Sequence, residues 1–188
     1  MPTHIALLRG INVGGRNKVA MVDLRAVITS LGHADVTTYI QSGNVVFSTD
    51  ETDTVALAAA MEGAIAKALT VAPRVLVVPR AELAQLARGN PYPAEPNPRN
   101  VHVVFLAENP GPGTVEAVAD AQRQASEKGS RDSTQFVGRA LFLHTPDGYG
   151  RSQLAELLAR ANGPLAARAA GTARNWATVT KLLALCGS

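Results

Sequence analysis

Apolar positions in the first 79 residues change period several times, from a continuous run to helical spacing and then to alternation. A continuous apolar run such as residues 5–8 is typical of a central strand, spacings of three and four indicate a helix, and alternation indicates a half-buried strand. The predicted strands and helices fall at residues 3–10, 21–31, 36–41, 44–48, 57–68 and 74–78. Their order is βαββαβ, which is the split βαβ or ferredoxin-like arrangement.

A second series of similar order follows a Pro-rich stretch. A helix is predicted over residues 80–88, and the four prolines from Pro91 to Pro98 indicate a linker. The further predicted elements are a strand at 101–106, a helix capped near Thr114, a hairpin of 134–137 and 140–144, a helix after Gly150 and a last helix from about Thr172. We therefore predict an α+β protein of two ferredoxin-like (split βαβ) subdomains with antiparallel sheets, plus a C-terminal helix. The subdomains are residues 1–79 and 101–188, with residues 80–100 as helix and linker.

A Gly-rich segment, Arg9-Gly10-Ile11-Asn12-Val13-Gly14-Gly15-Arg16-Asn17-Lys18, separates the first strand from the first helix. Its glycines permit positive φ, so successive backbone N–H groups can point into one concavity that Arg9, Arg16 and Lys18 surround with charge. The spacing approaches a P-loop, but Arg16 and Asn17 stand where Lys and Ser or Thr belong, so this is not a Walker motif. Two interpretations stay open, an anion-binding loop and a tight turn whose glycines are purely conformational.

Gln41, Ser42 and Asn44 surround the predicted hairpin turn. In a split βαβ unit this turn and the end of the first strand share one edge of the sheet, so we expect these side chains near the Gly-rich segment. Their amide and hydroxyl groups could orient a polar ligand, although a turn that needs Gly43 and tolerates polar neighbours explains them as well. A nucleophilic Ser42 lacks a base, because no His lies close to it in sequence.

Residues 172–183 carry helical spacing that predicts the last helix, with Thr172 as its N-cap and Trp176 on the buried face. Three residues at i, i+4 and i+7 form a predicted basic stripe on another face: Arg174, Thr178 and Lys181. The stripe is either a ligand-binding surface or a solvated helix face.

Composition narrows the class of protein. The chain has 188 residues, of which 46% are hydrophobic and only 4% aromatic, and its one cysteine excludes an intrachain disulfide or a multi-cysteine zinc site. The four histidines lack the i, i+4 pairing of a metal site, so we predict no metal and no cofactor. The longest apolar runs are far short of a bilayer span. We expect a cytoplasmic protein with no membrane partner.

The formal net charge of +3 conceals an uneven distribution of charge. Residues 1–22 carry three basic residues and no acidic one, and residues 157–188 carry Arg160, Arg168, Arg174 and Lys181 and no acidic one. The segment between them is net acidic. If the two basic ends meet in space, they create a local positive field that favours an anionic partner.

Three motifs resemble a bacterial family known as domain of unknown function 1697, over essentially the whole chain. They are residues 9–15 with Lys18, residues 39–47, and residues 172–176 leading to Lys181-Leu182. The chain departs from the family pattern at Arg16, usually Lys, and at Ala177, usually Asn. The resemblance implies two ferredoxin-like subdomains and implies no established reaction.

The leading functional hypothesis is binding of a phosphate-bearing ligand, a nucleotide or nucleic acid, at a basic cleft formed by the three motifs. The predicted ligand-binding residues are Arg9, Gly10, Asn12, Gly14, Gly15, Arg16, Lys18, Gln41, Ser42, Asn44, Arg174, Asn175 and Lys181. One alternative is an enzyme on a small anionic metabolite, with Arg9, Arg16 or Arg174 clamping the substrate and Ser42 or Asn44 positioning it. Another is a structural or interaction module, in which case the motif residues would be buried and mutually hydrogen-bonded. The oligomeric state is not predicted.

Overall fold

The computed structural model describes residues 1–160, 163, 165 and 171–187. The chain divides into two compact units, a first unit of Met1–Gln85 with Thr180–Ser188 and a second unit of Leu86–Val179. Each unit contains one four-stranded antiparallel sheet, and the α+β class with two ferredoxin-like subdomains is confirmed.

The first unit follows the predicted βαββαβ order. Its elements are β1 (His4–Arg9), α1 (Met21–Ser30), β2 (Ala34–Tyr39), β3 (Asn44–Ser48), α2 (Thr54–Leu69) and β4 (Arg74–Pro79). The sheet order is β2-β3-β1-β4, with β1 antiparallel to both of its neighbours. The end of β1, the start of α1 and the β2–β3 turn therefore lie at one edge of the sheet, as the predicted topology requires.

The core of the first unit lies between this sheet and its two helices. Ala6 and Leu8 of β1 are fully buried against Leu24 and Ile28 of α1 and Met61 of α2, among others. Burial of each large aliphatic side chain contributes about 1.5–3 kcal/mol. Because β1 is buried on both faces, it reads in the sequence as a continuous apolar run.

The second unit repeats this order with different residues. Its elements are β5 (Val101–Phe105), α4 (Pro112–Glu127), β6 (Ser133–Val137), β7 (Ala140–His144), α5 (Gln153–Ala159) and β8 (Thr172–Asn175), with a single 3₁₀ turn at Tyr149–Arg151. The sheet order is β6-β7-β5-β8. Val104, Leu141 and Leu143 pack against Val118 of α4 and Leu154 of α5.

Two further helices, α3 (Arg80–Arg88) and α6 (Trp176–Leu185), complete the described elements. The predicted last helix began at Thr172, and this is wrong, because Thr172–Asn175 forms β8. The four residues of β8, taken in order from Thr172, pair with Phe105, Val104, Val103 and His102 of β5. This long-range pairing decides the structure of the segment, and α6 starts only at Trp176.

The Pro-rich stretch predicted as a linker is fixed onto the second unit. Asn100 accepts a hydrogen bond from the backbone N–H of Thr145, at 2.8 Å. Glu95 contacts His144 Nε2 at 2.6 Å, and Ser133 Oγ donates to the hydroxyl of Tyr92 at 3.1 Å. The prolines suppress helix and strand, and side chains replace the missing backbone bonds.

Candidate functional site

The Gly-rich segment forms a short two-stranded hairpin, which we call the hairpin arm, residues 12–17. The N–H of Asn12 donates to the carbonyl of Asn17 at 3.0 Å, and the N–H of Arg16 donates to the carbonyl of Val13 at 3.0 Å. Gly14 and Gly15 form its two-residue turn with φ of 57° and 76°. Two successive residues at positive φ define a type I′ turn, for which glycine is the preferred residue. The segment is therefore a short hairpin whose residues 13–18 are all exposed.

Asn12 fixes the base of the hairpin arm. Its side-chain oxygen accepts from the N–H of Val19 at 2.8 Å, and its amide nitrogen donates to the carbonyls of Val19 and Gln41, each at 2.9 Å. Asn17 adds a bond from its side-chain amide to the carbonyl of Gly10, at 2.7 Å. The bond to Gln41 confirms that the Gly-rich segment and the β2–β3 turn are neighbours.

The β2–β3 turn is built on close approach to β1. The N–H of Leu8 donates to the carbonyl of Gly43 at 2.7 Å, and a Cβ at position 43 would lie 2.7 Å from Leu8 Cβ and 2.9 Å from Ile11 Cδ1. Asn44 is fully buried and donates to the carbonyl of Tyr39 at 3.1 Å and to Ser42 Oγ at 2.9 Å. Gly43 therefore allows the turn to approach β1, and the side chain of Asn44 holds the turn through two hydrogen bonds.

Several predicted site residues remain exposed at this edge. Arg9, Arg16, Lys18, Gln41 and Ser42 all lie at the surface. No carboxylate in the described part of the chain lies within salt-bridge distance of Arg16 or Lys18. The charges of Arg16 and Lys18 are therefore not neutralised by a salt bridge within the described residues.

Two exposed aliphatic residues at the same edge were missed by the reading of the sequence. Val13 of the hairpin arm is 68% exposed, and Ile40, next to Gln41, is 49% exposed. Ile40 also has a φ of 49°, which is rare for a β-branched residue. The Gly14-Gly15 pair, of the kind that forms two-residue hairpin turns, was the available signal for a hairpin in this segment.

The predicted C-terminal stripe is not formed, because its members lie in different settings. Arg174 is a buried residue of β8, 8% exposed, and Thr178 is also buried, at 5%. Only Lys181 is exposed, on the part of α6 that belongs to the first unit. This basic end also contains Arg160 and Arg168. Arg160 is exposed, and Arg168 lies outside the described residues.

Arg174 and Asn175 serve the local structure of the second unit. Arg174 Nη1 donates to the carbonyl of Ala173 at 2.8 Å and to the hydroxyl of Thr172, and burial lowers the pKa of Arg174 to about 10. Asn175 Oδ1 accepts from the N–H of Thr178 at 2.9 Å. Asn175 is therefore the N-cap of α6, the role that the sequence predicted for Thr172.

The second unit contains a polar cluster that sequence reasoning also missed. His144 and Glu95 are joined at 2.6 Å, and the ring of Tyr92 stacks on His144 with centroids 4.9 Å apart. The hydrogen bond from His144 holds the pKa of Glu95 below its usual value. Nothing in the local sequence links these residues, since 49 positions separate Glu95 from His144.

The described residues contain neither a cluster suited to a metal ion nor a helix suited to a membrane. Within residues 1–160, 163, 165 and 171–187, no group of three or more His, Cys, Asp or Glu side chains is placed to hold a metal ion. Among the helices of that part of the chain, none combines the length and apolar character needed to cross a bilayer.

Comparison with known proteins places the chain in a family. A family model described as "Protein of unknown function (DUF1697)" matches residues 1–142. The chain is similar to the solved structure of the conserved bacterial protein SP0830 from Streptococcus pneumoniae, with 24% identity, a TM-score of 0.71 and 98% of each chain covered. Among curated proteins, none matches the chain significantly. Since the family model covers most of the sequence and all but the C-terminal motif, the chain belongs to the DUF1697 family of proteins of unknown function.

Proposed function

We propose that this protein binds nucleic acid at the edge of the first unit that carries the hairpin arm and the β2–β3 turn. The observation that carries the proposal is the pair of exposed cations, Arg16 and Lys18, on a rigidly anchored projection without a carboxylate partner among the described residues. Cations held in this way release counterions when they meet phosphates, which is the dominant source of affinity for nucleic acids.

The placement of charge on the hairpin arm favours a polymer over a single nucleotide. Residues 13–18 are all exposed, and the side-chain amide of Asn12 holds the base of the arm. Arg16 and Lys18 are two separate exposed cations, and each can meet a different phosphate of one nucleic-acid backbone.

The proposal also assigns the motif residues to two roles. Asn12, Gly43 and Asn44 hold the two loops together, as the interpretation as a structural module requires. Arg16 and Lys18 contribute nothing comparable to the core, because both are exposed. A purely structural module gives no reason for these exposed cations, whereas nucleic-acid binding does.

Salt-dependent binding tests the proposal. Fluorescence anisotropy with labelled mixed-sequence oligonucleotides, single-stranded and duplex, would be measured from about 50 to 200 mM salt. We expect affinity to fall steeply with salt, and Arg16→Ala and Lys18→Ala each to reduce the slope of log K against log salt by about one. Lys128→Ala is the matched control, because Lys128 is an exposed lysine of the second unit. Undetectable binding at low salt, or equal slopes for all three variants, would contradict the proposal.

A further inference from the structure

The exposed valine of the hairpin arm specifies what kind of nucleic acid fits this edge. We propose that the hairpin arm enters the major groove of duplex DNA, with Val13 against the base edges and Arg16 and Lys18 on the flanking phosphates. This inference rests on the proposed function and adds the class of nucleic acid and the contact made by the tip.

The pairing in the hairpin arm sets which side chains act together. Val13 and Arg16 are bridge partners, so their side chains lie on the same face of the ribbon. Asn12 and Asn17, which lie outside this bridge and have positive φ, use their side chains to bind Val19, Gln41 and Gly10. The arm is therefore anchored by its two asparagines and presents an exposed aliphatic group and an exposed guanidinium group from its bridge pair.

What sets Val13 apart from the other exposed valines of the first unit is its position. Val13 is 68% exposed and precedes the Gly14-Gly15 turn, beside the exposed Arg16, whereas Val22 and Val55 are similarly exposed on helices. Ile40, on the adjoining β2–β3 turn, is 49% exposed and held at a φ of 49°. The two loops therefore present aliphatic groups together with the cations to which we assign phosphate contacts.

Duplex DNA satisfies these features better than other nucleic acids. Its major groove, about 12 Å wide, admits a two-stranded ribbon and offers thymine methyl groups to aliphatic side chains. The major groove of duplex RNA is too narrow for side chains to read. Single strands are usually bound by stacking on aromatic rings. The exposed large hydrophobic residues of the described first unit are all aliphatic.

The test compares an isosteric substitution at the tip with a matched control. Val13→Thr keeps shape and charge but replaces a methyl group with a hydroxyl, and Val55→Thr does the same at a valine of α2 that is 77% exposed. Affinities would be measured for a duplex DNA of about 20 base pairs, the duplex RNA of the same sequence and the single strand. Melting temperatures of both variants check that the fold is unchanged.

The expected result is tighter binding of duplex DNA than of the other two probes. Val13→Thr should weaken that binding by about 5–10-fold with an unchanged salt slope, which corresponds to loss of roughly one buried methyl contact. Val55→Thr should bind as the unchanged protein does. Equal affinity for all three probes, or no effect of Val13→Thr, would overturn the inference and leave the proposed function standing. Failure to bind any of the probes would overturn both.

Discussion

Single residues in the family motifs have separable tasks. Asn12 makes three hydrogen bonds and Asn44 is fully buried, so their side chains are committed to the fold. Arg16 and Lys18 stand exposed on the loop that Asn12 holds. The first motif therefore combines residues that hold a loop in place with exposed cations, to which we assign the binding of phosphate.

Among the glycines at the hairpin-arm edge of the first unit, Gly43 should tolerate substitution least. Gly43→Ala would place a Cβ 2.7 Å from Leu8 Cβ and would force a side chain to a φ of 75°. Gly14→Ala is the matched control, since Gly14 also has positive φ but nothing within 4 Å of the added Cβ. We expect urea unfolding to show a loss of about 3 kcal/mol for Gly43→Ala and about 1 kcal/mol for Gly14→Ala. Equal losses would mean that conformational strain alone, and not the contact with Leu8, explains Gly43.

His102 should make the fold sensitive to acid. Burial lowers its pKa to about 4, and in the described part of the chain its Nδ1 has no hydrogen-bond partner. Since the unfolded chain binds the proton near pH 6.5, stability is complete above that pH and falls as the pH drops towards 4.

The variant that tests this prediction is His102→Phe, which cannot be protonated. Phenylalanine keeps a ring beside Tyr149, whose ring centroid lies 4.2 Å from that of His102. Between pH 6.5 and 4, we expect the free energy of unfolding of His102→Phe to fall by about 2 kcal/mol less than that of the unchanged protein. This figure allows for partial access of solvent to His102. The check is urea unfolding as a function of pH. Parallel pH profiles would mean that His102 does not carry this sensitivity, and that His4 and His33, whose pKa values burial also lowers, account for it.

Among the elements, those defined by local periodicity were predictable and those defined by distant pairing were not. The first βαββαβ series and the second series up to α5 follow from period changes in the sequence, and α3 was predicted over its full length. The four residues of β8 are too few to show a period of their own. They directly precede the helical spacing that starts at Trp176, so the predicted helix began too early and included them. Only the pairing with β5 makes this segment a strand.

The hairpin arm was the other element that local reasoning described incompletely. The glycines at positive φ were expected, and all three have it. Their use in a projecting ribbon depends on Asn12 reaching Val19 and Gln41, seven and 29 positions away. Such side-chain contacts have no counterpart in hydrophobic patterning, so the adjacency of the two loops was predictable and the form of the site was not.

Removing the anchor of the hairpin arm should loosen it without changing its charge. Asn12→Gly deletes the three side-chain hydrogen bonds, and glycine accepts the φ of 53° at this position. Hydrogen exchange should accelerate at the amides of Arg16 and Val19 by about tenfold or more, since each lost bond contributes about 1 kcal/mol. Exchange in the second unit serves as the internal control. Unchanged exchange at Arg16 and Val19 would contradict the anchoring role.

At the scale of the whole molecule, one topology occurs twice and carries charge unevenly. The first 22 residues hold three basic and no acidic residues, and their cations are exposed at one edge of the first unit. In the second unit Arg174 is buried in its sheet, so among the described residues the predicted stripe of Arg174, Thr178 and Lys181 is not formed. Charge counted along a sequence therefore does not say which cations are exposed, because the fold decides which side chains are buried.

The most direct test of nucleic-acid binding is a map of the contact surface in solution. Amide chemical shifts of the isotopically labelled full chain would be followed while a short DNA duplex is added. We expect the largest shifts in residues 12–18 and 40–43, with the described residues of the second unit little affected. Shifts confined to Leu86–Val179, or no shifts at concentrations where electrostatic binding should saturate, would contradict the assignment of the site to the hairpin arm.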